Sequence, residues 1–137
     1  MKVINMQEMR YINLFEKITH VRTSNCFSYN DSLIFVVPKK DISKSIGEEG
    51  KNTRKLNEIL DKKVKVAMKV VSEKDIEKFI ASVVHPVTFN NLEIRGGEIV
   101  ISAGHQSKSA LIGRDKRRLI ELQKITKEYF NKNVRIA

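Results

Sequence analysis

Apolar residues at Met9, Ile12, Phe15 and Ile18, with Tyr11 and Leu14 beside them, repeat at helical spacing and predict a helix over residues 8–19. His20 to Tyr29 alternates loosely, and Leu33-Ile34-Phe35-Val36-Val37 is a β-rich run. Asn30-Asp31-Ser32 between them supplies turn residues, so the two stretches read as a hairpin, which Pro38 closes. Asp41 is placed as the N-cap of a helix of one to two turns ending near Ile46. Beyond Gly47, the residues Thr53, Leu56, Ile59 and Leu60 mark the buried face of a helix, and Val64 to Met68 reads as a strand. The order is helix, strand, strand, helix, glycine turn, helix, strand.

The same order then recurs. Ser72 with Asp75 three residues on resembles a capping box, and Ile76, Phe79, Ile80 and Val83 form the apolar face of the helix that follows, which Pro86 stops. Val87 to Arg95, Gly96-Gly97 and Ile99-Val100-Ile101 predict a second hairpin. Ser107 to Ile112 lead into a second glycine turn; Leu119, Leu122, Ile125, Tyr129 and Phe130 mark a longer helix, and Val134-Arg135-Ile136 a closing strand. Ile112 and Gly113 lie 66 residues after Ile46 and Gly47 in a chain of 137. The expectation is an α+β fold in two copies, residues 1–71 and 72–137, each near the lower size limit for a self-sufficient core.

Charge sharpens this picture. The net charge is +10. Residues 38–72 hold ten Lys/Arg against five Asp/Glu, residues 105–137 hold nine against three, and the remainder is close to balance. The excess therefore sits around the two glycine turns. A polyanionic partner follows, because neutralising phosphates releases condensed counterions. No run of about 18 apolar residues is present to span a membrane. The N-terminus lacks the apolar stretch of a signal peptide. Cys26 is the single cysteine and suits a reducing compartment. A soluble, cytoplasmic protein is expected.

Catalytic chemistry finds no constellation. His20, His85 and His105 are far apart with no metal-ligand spacing, Cys26 has no neighbouring base, and neither glycine turn completes a Walker loop. The reading is therefore a binding protein with no catalytic residues, metal, cofactor or small-molecule substrate.

The stretch Ser45-Ile46-Gly47-Glu48-Glu49-Gly50-Lys51 and its echo Leu111-Ile112-Gly113-Arg114-Asp115-Lys116-Arg117 resemble the Gly-x-x-Gly loop of KH domains. The hairpin before the loop matches the type II, or prokaryotic, arrangement, α-β-β-α-α-β in each copy. That resemblance implies a clamp for about four nucleotides of single-stranded RNA. A residue without Cβ admits a sugar-phosphate backbone, and the following helix turns its free N–H groups toward phosphate. On this basis Gly47 and Gly50 give backbone approach, with Glu48 and Glu49 between them. Lys44, Lys51 and Arg54 supply charge, and Ile46 and Ile42 border the base groove. In the second copy Gly113 gives approach, Lys108, Arg114, Lys116, Arg117 and Arg118 supply charge, and Ile112 takes the part of Ile46. Two departures stand out. Glu48 and Glu49 occupy positions where the family usually places a basic residue, and Lys116 stands where the second glycine belongs. The second loop is therefore expected to close less well on a phosphate, and the two loops to act as one extended surface.

Arg10-Tyr11-Ile12-Asn13-Leu14-Phe15-Glu16-Lys17-Ile18-Thr19 and the link from Ile34-Phe35-Val36-Val37 to Ile46-Gly47 are similar to the stand-alone archaeal form of the NusA family of transcription factors. This implies RNA binding in transcription termination or antitermination, with RNA polymerase or other transcription factors as further candidate partners. The chain has no room for the additional polymerase-binding and S1 domains of bacterial relatives. Two alternatives stay open: a KH protein of ribosome assembly or rRNA processing, and a KH-derived protein-interaction module.

Overall fold

The computed structural model describes residues 5–23 and 25–137. Over these residues the fold is α+β, with six α-helices and two three-stranded sheets. Helix α1 (Met6–Thr19) is followed by strands β1 (Asn25–Tyr29) and β2 (Ser32–Val37), helices α2 (Ile42–Ile46) and α3 (Lys51–Leu60), and strand β3 (Lys63–Met68). The order then repeats as α4 (Ile76–Val84), β4 (Asn91–Arg95), β5 (Glu98–Ser102), α5 (His105–Ile112), α6 (Arg117–Phe130) and β6 (Asn133–Ile136). The chain divides into two compact units, one ending at Phe79 and the other running from Ile80 to Ala137, so the division falls inside α4.

In the first unit β2 is the middle strand, antiparallel to β1 and parallel to β3. All six of its residues are buried, as expected of a strand covered on both faces. Leu33, Phe35 and Val37 join a core with Ile12 and Phe15 of α1, Cys26 of β1, Leu56 of α3 and Val64 of β3. Phe15 and Phe35 stack with ring centroids 4.4 Å apart. On the opposite sheet face Phe27 meets the edge of Phe79 at 6.2 Å. Cys26 is buried within the core.

The hairpin turn at Asn30 and Asp31 has positive φ at both residues (51° and 58°), the geometry that fits the twist of a two-residue β-hairpin. The first strand is shorter than the loose alternation suggested. Residues 21–23 act as an anchor: the buried Thr23 hydroxyl donates to the Val36 carbonyl at 2.6 Å, and the Thr23 N–H donates to Glu16 Oε1 at 3.1 Å. Asp41 makes no side-chain cap for α2; it ends a 3-10 turn (Lys39–Asp41), and its carbonyl accepts from the buried Ser45 hydroxyl at 2.7 Å.

The second unit repeats the register. β5 is the middle strand, antiparallel to β4 across the Gly96-Gly97 turn and parallel to β6. Ile99, Ile101, Leu111, Leu122, Ile125 and Val134 are buried. A parallel pair needs a crossover connection, and here it is the two-helix segment containing the glycine turn.

Ahead of α4, the Asp75 carboxylate accepts from the N–H groups of Val71 at 3.0 Å and Ser72 at 3.3 Å. These bonds hold its pKa below the usual carboxylate value. A depressed carboxylate contributes stability that is complete above its unfolded pKa of about 4 and is lost as pH falls through the lower folded value. Asp75→Asn should therefore lower the melting temperature at pH 7, and the gap to the parent should shrink at pH 3. A gap independent of pH would contradict this.

Candidate nucleic-acid interface

Each glycine turn joins two helices, α2 to α3 in the first unit and α5 to α6 in the second. Gly47 has φ 82° and ψ 168°, and Gly113 has φ 76° and ψ 173°. This combination of positive φ with ψ near 180° is adopted by essentially no residue but glycine. Space adds a second restriction. A Cβ on Gly47 would lie 3.0 Å from the backbone nitrogen of Asn52, and one on Gly113 would lie 3.0 Å from that of Arg118 and 2.6 Å from its Cγ. Both turns close by the same bonds: Gly47 N–H donates to the Ser43 carbonyl at 3.0 Å and Gly113 N–H to that of Ser109 at 2.9 Å.

Position 50 is different. Gly50 is left-handed (φ 75°, ψ 19°), and a Cβ there would meet nothing closer than Thr53 Oγ1 at 3.6 Å, an ordinary contact. Its counterpart Lys116 adopts φ 61° and ψ 20°. Glu49 (φ 54°, ψ 30°) and Asp115 (φ 56°, ψ 29°) match as well. The N–H of residue 50 donates to the Gly47 carbonyl at 3.1 Å, and that of Lys116 to the Gly113 carbonyl at 3.2 Å. The second loop therefore closes its own turn as the first does, with lysine in the left-handed conformation that glycine takes at position 50. The left-handed well is open to any L-residue at about 1 kcal/mol, whereas the Gly47 and Gly113 conformation is not.

Around the first turn Lys44, Ile46, Glu48, Glu49, Lys51 and Arg54 are exposed, and Gly47 and Gly50 are half-buried. Three cations there face two carboxylates. Around the second turn Arg114, Lys116 and Arg117 are exposed, while Lys108, Ile112 and Gly113 are half-buried. Arg118 differs from its neighbours: it pairs with Glu121, and its side-chain stem lies over Gly113. Setting Arg118 aside, four cations in the second copy face the single carboxylate of Asp115.

Two residues escaped the sequence reading. Asn52 Nδ2 donates to the Lys44 carbonyl at 3.1 Å, tying the end of α2 to the start of α3 across the turn. Its only sequence signal is an amide two residues after Gly50. Ile120 is 58% exposed on α6, off the buried stripe of Leu122 and Ile125. An apolar residue out of period on an otherwise amphipathic helix is the cue for it.

Elsewhere in the first unit a cavity of about 200 Å³ at the ends of β2 and β3 is lined by Pro38, Lys39, Met68, Lys69, Val71, Asp75 and Lys78. It falls short of the roughly 300 Å³ at which small-molecule pockets begin. Among the described residues no group of three or more His, Cys, Asp or Glu side chains could hold a metal ion. Among them, too, no helix is long and apolar enough to cross a membrane.

No protein-family model matches the chain. The chain is 25% identical over 126 residues to the "Probable transcription termination protein NusA" of Halococcus morrhuae, covering 90% of this chain and 88% of that protein. It is 25% identical over 100 residues to the protein of the same name from Methanococcus vannielii, covering 72% of this chain and 56% of the length of that relative. The crystal structure of APE1850 is similar at a TM-score of 0.68 and 26% identity, over 98% of this chain and the whole of that one. Similarity to archaeal NusA-like proteins thus extends over most of the chain.

Proposed function

We propose that this protein binds single-stranded RNA through two type II KH units, residues 1–71 and 72–137, and acts in transcription termination or antitermination in the cytoplasm of an archaeon. The observation that carries the reading is the duplicated turn. In each copy a glycine in a conformation closed to other residues opens the main chain beside exposed cations, at the start of a helix whose first N–H groups have no partner within the helix. The names borne by the two similar proteins supply the transcriptional setting. Lys44, Lys51 and Arg54 in the first copy, and Lys108, Arg114, Lys116 and Arg117 in the second, would contact phosphates. Ile46 and Ile112 would border the bases. RNA polymerase and other transcription factors are candidate protein partners, and the protein needs no cofactor or catalytic residue for this role.

The test is a titration of the protein with a short single-stranded RNA and with the matching duplex, each at 50 and 200 mM salt. Single-stranded RNA should bind more tightly than duplex. With four to six phosphates neutralised, affinity should fall by about one and a half to two and a half orders of magnitude over that salt range. Equal binding of duplex would contradict the KH reading. Absence of RNA binding, with salt-insensitive capture of a protein instead, would favour an interaction module.

A further inference from the structure

We infer that the cavity at the ends of β2 and β3 is a subsite for a single nucleotide, separate from both glycine turns. Pro38, Met68 and Val71 carry the base, Asp75 accepts from its amino group, and Lys39, Lys69 and Lys78 hold the phosphate. The nucleotide is a free nucleoside monophosphate or one unit of a bound RNA strand. The second case rests on the RNA-binding reading; the first does not.

Three separate segments bring cations to this one cavity. Lys39 lies in the 3-10 turn after β2, Lys69 follows β3, and Lys78 is on α4. The lining thus sets three cations against the single carboxylate of Asp75. Beyond the two backbone bonds to that carboxylate, both Lys78 and Lys39 favour its ionised form. Neither Lys39 nor Lys69 makes a side-chain hydrogen bond or an ion pair among the described residues. Ammonium groups gathered at one cavity repel one another, and a phosphate between them turns that repulsion into attraction.

The rest of the lining is apolar. Val71 is 84% exposed, and with half-buried Pro38 and Met68 it presents an apolar wall to the cavity. A ring laid on that wall removes apolar surface from water. Asp75 Oδ2 accepts from Val71 and Ser72, while Oδ1 has no hydrogen-bond partner among the described residues. Oδ1 is therefore free to accept from the exocyclic amino group of cytosine or adenine, where uracil, like thymine, presents a carbonyl. The cavity of about 200 Å³ has the volume of roughly seven waters. That is room for a base ring, with the sugar and phosphate left at the lysine rim. The site is not part of the duplicated turn: Gly104 and His105 stand where the first unit has Pro38 and Lys39.

The test is an NMR titration of the parent with cytidine, adenosine and uridine monophosphates and with inorganic phosphate, beside a titration with single-stranded RNA. Cytidine and adenosine monophosphates should shift the amide signals of Met68, Lys69 and Val71. They should bind about three- to tenfold more tightly than uridine monophosphate or phosphate alone. Lys39→Gln with Lys69→Gln should weaken the favoured nucleotides about tenfold. Lys17→Gln with Lys127→Gln, which removes the same charge elsewhere, should leave them unchanged. All four lysines are exposed, so both double variants stay folded. If the cavity pair also binds RNA more weakly than the control pair and loses about one unit of salt slope, the nucleotide belongs to the strand, with or without a shift from the free nucleotides. If the free nucleotides bind and the two pairs bind RNA equally, the ligand is the free nucleotide. Equal affinity for inorganic phosphate and cytidine monophosphate would overturn the base site. The subsite is also overturned if no nucleotide moves these amides and the two pairs bind RNA equally, and the RNA-binding reading then stands on the parent's own titration.

Discussion

A Gly47→Ala protein should be about 2–3 kcal/mol less stable than the parent, while Gly50→Ala should lose no more than about 1 kcal/mol. Gly47 combines φ 82° with ψ 168°, and its added Cβ would sit 3.0 Å from the backbone nitrogen of Asn52. Relief requires rotating the turn, which breaks the bond from Asn52 Nδ2 to the Lys44 carbonyl that holds α2 and α3 together. Gly50 lies in the left-handed well with room for a side chain, and its substitution also stiffens the unfolded chain slightly. Urea denaturation of the two variants decides the matter, and equal losses would refute the distinction. For RNA binding the consequence is practical. A double substitution of both glycines mixes a folding defect with a binding defect, whereas a change at Gly50 alone reports on the loop. Gly47→Ala should also weaken single-stranded RNA binding at least about tenfold, roughly 1.4 kcal/mol.

Phe35→Ala should cost about 3–5 kcal/mol. Phe35 is fully buried in the middle strand of the first sheet and stacks on Phe15 at 4.4 Å, joining α1 to the sheet. Truncation removes the ring's burial, leaves a cavity, and strips Phe15 of its aromatic partner. Small proteins hold only about 5–15 kcal/mol in total, so the first unit should lose much of its resistance to urea. Ile120→Ala is the matched control: at 58% exposure it should change stability by no more than about 0.5 kcal/mol. A Phe35→Ala loss below about 1.5 kcal/mol would mean that the helix–sheet core is not the main source of stability there.

The repeat was legible in the chain because its signals are local. The spacing of Leu119, Leu122 and Ile125 and the two β-rich runs before the turns depend only on residues a few positions apart, and the elements formed where those periods placed them. Ser72 and Asp75 showed as a helix start for the same reason. Asp41 misled because a carboxylate before a short apolar stretch has the signature of an N-cap, while in the fold a 3-10 turn uses its backbone and Ser45 takes its carbonyl. Arg118 looked like another cation of the basic helix; only the packing of its stem over Gly113 and its pairing with Glu121 distinguish it from Arg117.

The order of elements, the two glycine turns and the clustering of charge around them were thus determined by the sequence alone, since periodicity, turn chemistry and charge need no knowledge of distant neighbours. The tertiary structure decided which glycine is obligatory and how lysine comes to occupy the place of the other. Local preference sends lysine away from the left-handed well by about 1 kcal/mol. Two helices joined by the four residues Gly113 to Lys116 between parallel strands constrain the dihedrals of that turn, so the packing of α5 and α6 overrides that preference. The physical reason is that turn dihedrals are imposed by the elements they connect, and those elements are positioned by burial of Leu111, Leu122 and Ile125 far more strongly than one residue's backbone preference can oppose.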